Sequence, residues 1–127
     1  MPSFGKRSLT SLATCDERLQ RVAQRAILLS DFTVLEGHRG QAAQEAAFDA
    51  GLSRAHFGQS AHNANPSRAF DVAPYPIDWS DNHRFIDLSD HMLAAAHAVG
   101  VEIVWGGTFW GGTRAHPTDS GHYELAT

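Results

Sequence analysis

A single cysteine, Cys15, leaves no room for an internal disulfide framework or for a zinc site built on thiolates. Long apolar runs are missing too. The longest, Ala26 to Leu29 and Met92 to Ala96, fall far short of a membrane span, and the first residues carry no apolar h-region. Nor is there an excess of basic charge: 10 Lys and Arg stand against 14 Asp and Glu, for a net charge of −4, and the cations are dispersed, which argues against a phosphate backbone as partner. Repeats, low-complexity tracts and Gly/Ser-rich linkers are absent. With 127 residues, 43% of them hydrophobic, the chain can close one core and not two of ordinary size. These absences predict one domain spanning residues 1–127, a soluble cytosolic monomer with neither a nucleic-acid nor a membrane partner.

What the chain has in quantity is histidine, eight residues in all, so any bound metal must rely on His and carboxylate. The apolar stripe Leu12, Cys15, Leu19, Val22, Ala23, Ala26 and Ile27 predicts a helix over about 11–29, preceded by a loose arm. Phe32 to Glu36 reads as a strand that brings His38 and Arg39 to its end. Ala42 to Ala50 reads as a short helix closed by Gly51. Ser53 to Ser67 is a long polar loop, and long ordered loops in small domains are usually functional. Then come a strand over Ala69 to Ala73, a helix from Asp81 or Asn82 to Val99 ended by Gly100, and a strand over Val101 to Trp105. A glycine-rich stretch and a last strand over His122 to Leu125 follow. Short strands between long loops predict an α+β fold with a small antiparallel sheet flanked by helices.

His62, Asp71 and His122 offer two imidazoles and a carboxylate. That set suits a catalytic zinc, which takes three protein ligands and keeps a fourth position open. Spacing alone does not single them out, because the chain has no HExxH helix. Asp71 stands between apolar Phe70 and Val72, where burial without a cation or hydrogen-bond partners would be costly.

The flanking residues add a resemblance. Ser60-x-His62, Ser67-Arg68-Ala69-Phe70-Asp71-Val72-Ala73-Pro74, Trp105-Gly106-Gly107 and Asp119-x-x-His122-Tyr123-Glu124-Leu125 together resemble the zinc D-alanyl-D-alanine carboxypeptidase and L-alanyl-D-glutamate endopeptidase family. The family includes phage endolysins and vancomycin-resistance dipeptidases and shares its fold with the hedgehog signalling domain. The likeness runs from about Leu12 to Leu125. It implies zinc as cofactor, His62, Asp71 and His122 as its ligands, Asp119 as general base, and Arg39 of Gly37-His38-Arg39 as the stabiliser of negative charge on the carbonyl oxygen, with Gln44 matching the run that follows. The implied activity is hydrolysis of peptidoglycan stem peptides, as in a phage endolysin cutting L-Ala-D-Glu and reaching the wall from the cytosol. Two alternatives stay open: a D-Ala-D-Ala carboxypeptidase or dipeptidase, and a zinc-containing binding module without catalysis.

The sequence departs from the pattern twice. His62 and Asp71 are nine positions apart, two more than in the compact motif, and Thr108-Phe109-Trp110 replaces the usual Asp-Trp after the paired glycines, which bears on specificity. Plainer readings stand beside each assignment. Asp119 could be a turn former with Glu124 the next candidate base, and Arg39 could pair with Glu36 or Glu45 on the surface. His116 is a reserve ligand, the other histidines are structural, and Cys15 is a buried member of the helical stripe. The tryptophans belong to the core, with Trp105 the one placed to reach a cleft wall.

Overall fold

Asp16 divides what the apolar periodicity runs together. Its carboxylate accepts the Arg18 N–H at 2.9 Å and starts a new helix, so the computed structural model, which describes residues 2–127, has α1 (Lys6–Leu12) and α2 (Glu17–Ala26) in place of one long helix. The expected loose arm is therefore wrong for residues 6–10. Ser8 is buried in α1 and its hydroxyl accepts the Val34 N–H at 3.0 Å, which fastens the helix to the first strand. On α2, Leu19, Val22, Ala23 and Ala26 recur at helical spacing and are wholly buried. Cys15 is buried as expected, and burial pushes its thiol up to about 11.

The other elements are β1 (Phe32–Glu36), α3 (Gln41–Asp49), β2 (Ala69–Pro74), α4 (Asn82–Ala98), β3 (Ile103–Trp105) and β4 (His122–Leu125). Single 3-10 segments occupy Ala61–Asn63 in the long polar loop and Gly106–Gly111 in the glycine-rich stretch. The strand expected over Val101 to Trp105 begins two residues later. The pairings within the four-stranded sheet are antiparallel, in the order β1-β2-β4-β3, which is the small α+β sheet expected.

Side chains alternate across a strand, and the two central strands use that period fully. Phe70 and Val72 on β2, with Tyr123 and Leu125 on β4, join the apolar cluster that α2 and α4 cover. Asp71, His122 and Glu124 consequently stand on the opposite face. Among the described residues no helix is long and apolar enough to cross a membrane.

Candidate metal centre

Register brings two of the three expected ligands together. Asp71 and His122 are directly paired residues on neighbouring strands, which puts the His122 Nδ1 3.1 Å from the Asp71 Oδ1. The third arrives from the loop. Ser60 caps the 3-10 turn by accepting the His62 N–H at 3.2 Å, while the Asn63 side chain accepts the Ser60 N–H at 3.2 Å, so the Ser-x-His run is a capping device that aims an imidazole. The Arg39 N–H reaches the His62 carbonyl at 2.8 Å, and the His62 Nδ1 lies 2.7 Å from the Gly37 carbonyl. A side chain at Gly37 would press on the Thr14 hydroxyl and the Ser11 carbonyl, at 2.3 and 2.6 Å from a Cβ, so glycine is needed where this anchoring carbonyl is presented.

Hydrogen-bond chemistry decides what the centre holds. A carbonyl only accepts, so the His62 proton sits on Nδ1 and its Nε2 presents a lone pair toward Asp71, 3.2 Å away. His122 is oriented the other way round. Its Nε2 meets the Glu124 carboxylate at 2.8 Å, which leaves Nδ1 facing Asp71. Three electron-pair donors thus lie within 4.8 Å of one another, and only added protons or a cation can reconcile them. The donor set fits a metal ion. Each imidazole is held from behind by an acceptor, one a carbonyl and one a carboxylate, as metal-ligating histidines are.

The ionisation tendencies carry the same information. Burial would raise Asp71, but His122 and His62, which when protonated donate to its carboxylate, outweigh it and hold the carboxyl well below the usual range. Burial would lower His122, yet Asp71 and Glu124 push it up to about 9. Asp119 is shifted in the other direction, raised chiefly by burial and further by Asp71, although His122, His62 and Arg39 pull it down.

Asp119 and Arg39 line the same cleft of about 600 Å³ as the three candidate ligands. Asp119 forms no ion pair among the described residues, and Gly106 explains its placement: the Asp119 carbonyl and the His122 Cβ would lie 2.6 and 2.9 Å from a Cβ at Gly106, so only glycine lets the two segments meet. The Trp105-Gly106-Gly107 run is thereby a packing surface for Asp119-x-x-His122. Arg39 does pair with Glu36, its Nε 2.7 Å from Oε1, but the Arg39 side chain lines the cleft and is only 14% exposed. Its Nη2 lies 3.6 Å from the Asp71 Oδ2. Glu45 is occupied elsewhere, by His56 at 2.9 Å.

Three contributions escaped the sequence reading, two of them from residues it names in other roles. Glu36 pairs with Asp71 only because the register slips between Val34 and Glu36, a bulge that brings its carboxylate to the Arg39 guanidinium beside Asp71. Glu124 is the acceptor behind His122. Trp110 stands at the cleft wall, whereas Trp105, expected there, is 6% exposed and donates its indole N–H to the Ser120 carbonyl at 2.8 Å. A period-2 reading of β4 would have placed Glu124 beside His122. The bulge left no local signal. His116 lies in an exposed turn with Thr113, apart from the ligand group, and His91 and His97 are on α4.

Comparison with known proteins identifies the family. Residues 2–126 match the family model described as phage L-alanyl-D-glutamate peptidase. A curated relative, the L-alanyl-D-glutamate peptidase of Escherichia phage T5, is 33% identical over 135 residues covering 96% of each chain. The crystal structure of the Serratia marcescens L-Ala D-Glu endopeptidase ChiX is similar with a TM-score of 0.80 at 27% identity, over 98% of this chain and 90% of that one.

Proposed function

The chain belongs to the phage L-alanyl-D-glutamate peptidase family, and from that premise we infer that it hydrolyses the L-Ala-D-Glu bond of peptidoglycan stem peptides, as a phage endolysin does. The observation that carries this reading is the convergence of His62, Asp71 and His122 at the floor of an open cleft, with Asp119 and Arg39 beside them. The unit we propose is a single domain over residues 1–127 that acts as a monomer on the wall once it has been released to it.

Zinc is the metal we assign to His62, Asp71 and His122, because two imidazole nitrogens and one carboxylate oxygen suit it better than magnesium or calcium. When bound, it supplies Lewis-acid polarisation of the scissile carbonyl and acidifies water. The protein supplies the rest. Asp119, its carboxyl raised by burial, takes the proton of the attacking water and returns it to the departing D-Glu nitrogen. Arg39 holds positive charge at the Asp71 side of the cleft, where the carbonyl oxygen gains negative charge. Glu36 and Gln44 fix the guanidinium, Gln44 accepting from Nη1 at 3.0 Å.

Digestion of purified peptidoglycan with mass spectrometry of the fragments tests the reading. New amino termini on D-Glu are expected. Release of free D-Ala alone would move the chain to the carboxypeptidases, and no release from a zinc-loaded protein would make it a binding module. Asp119→Asn should keep zinc and fold while lowering turnover on the order of a hundredfold, as loss of a general base does.

A further inference from the structure

Two guanidinium groups face the cleft, and they differ in how many of their donors are already used. Arg39 gives Nε and Nη2 to Glu36 and Nη1 to Gln44, and its charge is further balanced by Asp71. Arg54, on the loop after α3, forms no hydrogen bond or ion pair through its side chain among the described residues. It is seated instead on the face of Trp110, with Cζ 4.3 Å from the ring centroid. Because Arg54 and Trp110 come from different loops, this contact joins two walls of the cleft.

Both partners are built into place. Fully buried Gln44 donates to the Ser53 hydroxyl at 3.0 Å and to the Ala55 carbonyl at 2.7 Å, which pins the backbone on either side of Arg54. Trp110 has φ 50 and ψ 42, the only positive φ at a non-glycine position among the described residues. An L side chain resists that region, and residues kept there cluster at ligand clamps. The Thr118 hydroxyl, donating to the Phe109 carbonyl at 2.6 Å, holds the turn that keeps Trp110 so, and the indole remains 55% exposed.

The rest of the cleft is acidic, with Asp71, Asp119 and Glu124 all lining it. An anionic substrate group can settle there only beside a cation whose donors are free. A stem peptide carries such a group. Its D-glutamyl residue continues the chain through the side-chain carboxyl, so the α-carboxylate is left on the carbon that bears the scissile nitrogen. We propose that Arg54, supported by Trp110, is a specificity residue that binds this free α-carboxylate and so selects stem peptides in which it is not amidated. The inference rests on the L-Ala-D-Glu peptidase reading and adds which form of that substrate is taken.

The test uses two synthetic tripeptides, L-Ala-γ-D-Glu-L-Lys and its D-isoglutamine counterpart, both amidated at the C-terminus so that they differ in one carboxylate. The zinc-loaded enzyme should favour the carboxylate form about tenfold or more in kcat/KM, as expected for a bidentate charge-assisted pair, and Arg54→Gln should bring the ratio within about threefold of unity. Trp110→Ala should reduce the ratio part of the way. Zinc content and thermal unfolding of the variants check that the fold is intact. Calorimetric titration with the two cleavage products, γ-D-Glu-L-Lys amide and its isoglutamine analogue, gives a readout independent of turnover. Equal affinity of the wild-type protein for both, or a preference that survives in Arg54→Gln, overturns the clamp. Failure of the wild type to cleave either tripeptide would instead count against the peptidase reading, and the titration would still decide the clamp.

Discussion

The two faces of the central strands share a backbone and almost nothing else. On one, Phe70, Val72, Tyr123 and Leu125 are at most 2% exposed and pack under α2 and α4. On the other, Asp71, His122 and Glu124 gather lone pairs and negative charge around an open cleft. Neighbours in sequence therefore have separate duties, stability for one residue and chemistry for the next. The core face buys the rigidity with which the cleft face holds these electron-pair donors against their mutual repulsion. If this division holds, substitutions one position apart should separate cleanly in their effects.

The largest effects should come from His122 and Leu125. His122→Ala removes one of the three proposed ligands and should lower peptidase activity about a thousandfold or more, with loss of bound metal, because a Lewis acid contributes several kcal/mol to the transition state. Its circular dichroism should remain that of the folded chain. Leu125→Ala, three positions on and on the opposite face, should cost about 3 kcal/mol of stability through lost burial and a residual cavity, while the surviving folded fraction binds metal with wild-type stoichiometry. An unfolded His122→Ala, or a Leu125→Ala that folds normally but has lost its metal, would break the division.

A pH experiment probes the cleft face next. In the metal-free chain His122 is raised from an ordinary value of 6.5 to about 9 by Asp71 and Glu124, against the opposing effect of burial. A group raised on folding contributes stability that is complete below its unfolded value and is lost as pH climbs through its folded value. Metal-free protein should lose on the order of 1–3 kcal/mol between about pH 6.5 and 9. Saturating zinc should reverse the slope over the same window, since protons compete with the metal for the imidazoles and their departure strengthens binding. Chemical denaturation with and without chelator measures both slopes. Parallel curves would mean that His122 does not exchange its proton for metal.

Most of this division was legible before the structure, because it depends on alternation within short strands. Asp71 between Phe70 and Val72, and His122 before Tyr123, announce it in sequence, and β4 appears with the bounds that its pattern predicts. What could not be read depends on contacts between distant segments. The break between α1 and α2 follows from Asp16 capping beside the Cys15 to Ser67 bridge, while the apolar stripe runs straight through. Glu36 comes opposite Asp71 through a slip in pairing with β2, and pairing register is not a property of β1 alone. Trp105 and Trp110 exchange their expected places because turn geometry, rather than hydropathy, decides which indole faces the cleft.

The smallest effect tests the core face at a chemical flaw. Tyr123 is completely buried, its ring meets Phe70 edge to face at 6.1 Å, and its hydroxyl has no hydrogen-bond partner among the described residues. Burial accordingly raises its ionisation well above the ordinary phenol range. A hydroxyl taken from water and left unpaired costs about 1–3 kcal/mol, whereas Phe keeps the ring and its packing. Deleting the oxygen leaves a void of about one atom, which offsets part of the gain through lost dispersion contacts. Tyr123→Phe should therefore stabilise the chain by about 1 kcal/mol, a rise of roughly 3–5 °C in Tm for a domain of this size. Metal content and tripeptide turnover should not change, although the substitution is adjacent to His122, because the ring projects away from the cleft. A loss of stability would show that the hydroxyl is satisfied by a trapped water, and a loss of metal would show that the two faces are coupled through β4.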